Sequence, residues 1–102
     1  MSVEQYEATN TKLTTDITAV FVAGGTDCKK LAADLGTFMR DHDGEMTQIV
    51  AWEQSHAKEK ASYDSRTGNK LLEEFGQKAS AGLGACESDP TFKPVWDKFT
   101  KN

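Results

Sequence analysis

Between Thr26 and Glu87 the apolar residues fall in two runs of matched length that mirror each other about residue 57. The first run reads Cys28, Leu31, Leu35, Phe38, Met39, His42, Met46, Ile49 and Trp52. The second reads Ala61, Asp64, Ser65, Gly68, Leu71, Leu72, Phe75, Ala79, Gly82, Leu83 and Cys86. Steps of three and four place each run on one face of a helix. The phase passes through Gly44 unbroken, whereas a stop and restart there would usually shift it. The spacing therefore predicts one helix from Thr26 to about Gln54, bent or weakened at Gly44, at a cost of about 1 kcal/mol relative to Ala. Thr26 offers an N-cap, with Asp27 in the first turn. Ser55 offers the cap of the next helix, which should end near Glu87.

Folding these two helices back on each other about residue 57 sets position n against position 114 − n, and Cys28 then faces Cys86. Leu31 faces Leu83, Leu35 faces Ala79, Met39 faces Phe75 and His42 faces Leu72. Nearer the turn, bulky Met46, Ile49 and Trp52 meet small Gly68, Ser65 and Ala61 or Ser62, a pairing that lets helices interdigitate. A Cys28–Cys86 disulfide would close a loop of nearly 60 residues and stabilise the fold by about 4 kcal/mol. It would also imply an oxidising compartment, hence a periplasmic or secreted protein. The alternative is two buried free thiols and a cytoplasmic protein. A second architecture, with a helix ending at Gly44 and four short antiparallel helices, would put the cysteines at opposite ends and forbid the bond.

Ahead of this hairpin, Val3, Tyr6, Leu13, Ile17, Val20 and Phe21 share a helical stripe, with Asn10 filling the gap, and Gly24-Gly25 stops it. After it, Asp89 can cap a short last helix with Pro90 or Pro94 in its first turn, presenting Phe92, Val95, Trp96 and Phe99. The expected fold class is all-α, a single domain over residues 1–102. It is a bundle of three main helices: a long disulfide-closed hairpin, an N-terminal helix along one groove, and a short C-terminal helix at the open end. With 37% apolar residues the chain is too apolar for disorder, and 102 residues leave no room for a second core. A net charge of −4, with lysines dispersed among acids, argues against nucleic acid. The longest apolar stretch, Ala19 to Ala23, cannot span a bilayer. The sequence begins without the basic and apolar regions of a signal peptide, which fits either a cytoplasmic protein or a mature exported domain.

The cysteine contexts, Asp27-Cys28-Lys29-Lys30-Leu31-Ala32-Ala33 and Gly84-Ala85-Cys86-Glu87-Ser88-Asp89-Pro90, resemble those of small two-cysteine helical secreted proteins and lipoproteins of delta-proteobacteria, myxobacteria included. The likeness spans roughly Asp27 to Phe99 and leaves Val3 to Val22 outside it. It implies an exported, disulfide-closed helical domain and carries no activity with it.

Met39, His42 and Met46 lie on one helix face, and thioether with imidazole suits Cu(I) or haem in a bundle. The same stripe holds Leu35, Phe38 and Ile49, where Met and His ordinarily fill core. His56 lies fourteen residues beyond His42, about 21 Å along a helix, and reads as a polar turn residue. Asp41-His42-Asp43-Gly44-Glu45 fails as a calcium loop, because Met39 and Val50 occupy ligand positions. Ser55, His56 and Glu59 are neighbours in sequence without the geometry of a triad. Gly82 and Gly84 lack the lysine and serine or threonine of a phosphate loop, and either loosen the helix end or admit a close backbone approach. Trp96 and Phe99 either cover the open end of the hairpin or form an exposed interaction patch. The leading expectation is a small exported binding or interaction module with no catalysis and no cofactor. Its partner would be a protein or small ligand, and it would be a monomer or weak homodimer. A haem- or copper-binding bundle using His42 with Met39 or Met46 is the alternative.

Overall fold

The structure is a computed structural model and describes residues 1–101, all of whose regular elements are helical. Helix α1 spans Val3–Gly24. Ser2 opens it with a reciprocal cap: its hydroxyl accepts from the Gln5 backbone N–H, and its own N–H donates to the Gln5 side chain. Gly25, at φ 56°, turns the chain in the left-handed region where only glycine is at ease, and its N–H closes on the Phe21 carbonyl. Helix α2 spans Cys28–Ser55 and runs straight through Gly44, so the four-short-helix arrangement is not adopted. Its cap is Asp27, whose carboxylate accepts from the Lys30 N–H, one residue later than the expected Thr26. The carboxylate prevails because it places a full negative charge at the helix start.

A single residue, His56, separates α2 from α3, Ala57–Tyr63. Ser55 belongs to α2 rather than capping the next helix, and its hydroxyl donates back to the Trp52 carbonyl. A π-helical turn, Asp64–Gly68, follows α3 and leads into α4, Asn69–Cys86. The backbone at Tyr63, Asp64, Gly68 and Asn69 is right-handed helical, so the path from Ala57 to Cys86 is unbroken. The wider turn adds a residue and moves the buried face upstream of it. Tyr63 thereby enters the core, while Ala61 and Ser65, expected there, are exposed. The Asp89 carboxylate accepts from the N–H groups of Thr91 and Phe92, and α5 runs from Lys93 to Lys101 with Pro94 in its first turn.

Cys28 and Cys86 form the expected disulfide, with their Cα atoms 5.4 Å apart. The rest of the mirror register is looser. Helix α1 packs along both α2 and α4, and each meets α1 more extensively than it meets the other. Phe75, expected against Met39, packs edge to face on Phe21 of α1 at 5.4 Å. Leu72, expected against His42, is 60% exposed. Near the disulfide the approach is tight: a methyl group on Gly82 would come within 2.6 Å of the Gly25 carbonyl oxygen and 3.0 Å of Leu31. The molecule measures 38 × 24 × 18 Å, with a buried core running from Tyr6 and Trp52 at one end to Phe21, Phe92 and Cys86 at the other.

Candidate functional site

The short last helix covers only part of a longer trough. Phe92 and Trp96 pack edge-on against Phe21 of α1, at 6.2 and 5.8 Å, and Trp96 stacks on Phe99 at 5.6 Å. On its other side α5 meets α2 as far as Met46, where Pro94, Val95 and Lys98 share a cleft with Gly36, Met39, Asp43 and Met46. Helix α5 has 9 residues and α2 has 28, and the part of α2 after Met46 lines no cleft with α5.

Beyond Phe99 the trough opens into a groove of about 590 Å³. Leu13, Thr14 and Ile17 of α1 form its floor; Met46, Ile49, Val50 and Gln54 of α2 form one wall; Leu72 and Phe75 of α4 form the other. Asp43 is the single charged residue among those lining it, in a chain 27% charged. Val50 and Leu72 stand at its opposite lips, 43% and 60% exposed. Apolar lining with few charges is the composition of ligand pockets and interface centres rather than of ordinary surface.

The proposed ligand trio stays on one helix, and its members have different neighbours. Met39 is buried, and with Met46 it lines the cleft beneath α5, a cleft that His42 does not line. The His42 ring lies 4.7 Å from Phe38, and its Nδ1 is paired with Glu45 Oε1 at 2.7 Å. Among the described residues no three His, Cys, Asp or Glu side chains gather in a cluster fit for a metal ion. Trp96 and Phe99 are half-buried against the core, and Phe99 also forms the near end of the groove.

At the far end, Trp52 is sandwiched between Tyr6, at 4.3 Å, and His56, at 4.0 Å and almost parallel. The indole N–H donates to the Met1 carbonyl at 2.9 Å. The fully buried Tyr6 hydroxyl donates to Glu53 at 2.6 Å and accepts from Asn10 at 3.1 Å. Burial, and then the bond to Glu53, push its ionisation well above the ordinary phenol range. Each of these polar groups is satisfied, so the cluster is a structural end-plate. His56 lies at the turn between α2 and α3, its Nδ1 bonded to the Trp52 carbonyl and to Ser55.

No family model matches this chain, and no curated protein or solved structure is significantly similar to it. The groove was not readable as a site beforehand, because Leu72, Phe75 and Met46 sit on the same stripes as the core residues.

Proposed function

We propose that this protein is a small exported binding module, without chemistry of its own, whose binding surface is the groove beyond α5. The reading takes α1, α2 and the path from α3 to α4 as three main helices, with α5 as a partial fourth. The observation that carries it is a 590 Å³ apolar groove with one charged lining residue and exposed aliphatic lips. The disulfide supports export, since such bonds persist in oxidising compartments. No helix among the described residues is long and apolar enough to cross a membrane. The partner is a protein or a small apolar ligand, bound to a monomer or a weak homodimer. The engagement of His42 Nδ1 by Glu45 supports this reading over a haem or copper bundle.

The test is titration of the oxidised protein with the fluorescent apolar probe 1-anilinonaphthalene-8-sulfonate. Saturable binding near one equivalent, weakened by Val50→Lys or Leu72→Lys, is the expected result. Both side chains are largely exposed, so their replacement leaves the core alone. Absence of binding would sink the groove as a site. A Soret band or stoichiometric copper on the purified protein, lost in Met39→Leu, would turn the assignment to the metal or haem alternative.

A further inference from the structure

Resting on that reading, we propose that the groove's occupant is an amphipathic helix of a partner protein, seated in line with α5. Three observations carry this. First, the groove continues an interface that already holds a helix: Phe92, Trp96 and Phe99 of α5 pack into the same trough, and Phe99 is shared between the filled and open stretches. The open stretch presents apolar residues at steps of three and four, Leu13 with Ile17 and Met46 with Ile49 and Val50, as a helical occupant requires.

Second, the lengths agree. The part of α2 along the groove, Met46 to Gln54, spans about 12 Å at 1.5 Å per residue. That is slightly over two turns, the reach of anchors at i, i+3, i+4 and i+7 in helix-in-groove recognition. Third, the lips suit such a partner. Thr47, Val50 and Gln54 on one side and Leu72 on the other are uncharged, so a helix with an apolar stripe and neutral flanks meets a single charge, Asp43. Helix α5 runs from the Phe21 end toward Phe38 and Met46, the same way as α2.

The experiment uses the full oxidised chain and a synthetic peptide of about three helical turns, with leucines at i, i+3, i+4 and i+7 and alanine and glutamine elsewhere. A peptide of the same composition with the leucines scrambled is the control, and sodium laurate and sedimentation equilibrium provide the competing arms. The expected result is saturable binding of the patterned peptide, with amide shifts along residues 46–54 and around Leu72. Binding should be weaker by about tenfold or more for the scrambled peptide and for Val50→Lys or Leu72→Lys. Laurate filling the groove while the patterned peptide does not bind overturns the helical occupant and leaves the binding module standing. Self-association abolished by Val50→Lys, again without peptide binding, assigns the groove to a second copy and overturns it likewise. If neither peptides, laurate nor the fluorescent probe bind and the chain stays monomeric, this proposal and the proposed function fall together.

Discussion

Glycine residues that look alike in sequence differ sharply in what surrounds them. A methyl group on Gly82 would press on the Gly25 backbone carbonyl and on Leu31, and the backbone cannot step aside as a side-chain tip could. Gly82→Ala should therefore destabilise by about 1–3 kcal/mol. Gly44, inside α2, has open space where its methyl would go, so Gly44→Ala should stabilise by about 1 kcal/mol through helix propensity. Opposite shifts of the thermal midpoint in the two variants are the check; a loss in both would contradict the local packing. Tyr6 sets a pH limit at the same scale. Its phenol keeps its proton in the folded protein above the value of 10.0 at which an unfolded tyrosine ionises. Above 10.0 and below the folded protein's own value the unfolded chain binds fewer protons than the native one, so stability declines as the pH rises above about 10. Tyr6→Phe removes that contribution, at a cost of about 1 kcal/mol near neutrality for the lost bond to Glu53. Urea melts between pH 8 and 11 should show a shallower alkaline decline in the variant.

At the scale of elements, the π-helical turn explains what periodicity misread. The stripe from Gly68 through Phe75, Ala79, Gly82 and Cys86 was legible because the helix is regular there and its step is constant. Upstream, the added residue shifts the face, so Tyr63 was passed over and Ala61 and Ser65 were placed inside. Nothing in Asp64-Ser65-Arg66-Thr67-Gly68 signals the wider turn, apart from a glycine whose missing side chain leaves room for Asp64 and the Tyr63 ring. The cysteine pairing was legible from two matched stripes. The groove was not, because a stripe records which face is apolar and not how much of it a neighbour covers. A prediction follows from the turn. Deleting exposed Ser65 should convert it to regular α-helix while Tyr63 and Gly68 keep a common face, so the variant should retain the disulfide and a cooperative melt. Deleting exposed Gly76 from α4 turns Tyr63 and Gly68 relative to Cys86 by about 100°, and should weaken folding or leave free thiols. Mass spectrometry with and without an alkylating reagent distinguishes the two.

At the scale of the whole molecule, one covalent bond fastens the end where α1 turns into α2 and α4 ends. Its loop of 58 residues gives about 4 kcal/mol in the chain-entropy account, a large share of what a domain of this size has in total. The double variant Cys28→Ser with Cys86→Ser should lower the folding free energy by about that amount, read from urea unfolding of both proteins. The opposite end has no such bond and relies on the stacked Tyr6, Trp52 and His56 and on the indole's grip on the Met1 carbonyl. The two tryptophans thus sit one at each end, Trp52 between aromatic rings and Trp96 against Phe21 near the disulfide. That placement makes the protein its own two-channel optical gauge. With Trp96→Phe, emission reports the unfastened end alone; with Trp52→Phe, the fastened one. Coincident fluorescence transitions would show the domain yielding as a single unit, and an earlier Trp52 transition would show it peeling open from the end that no covalent bond holds.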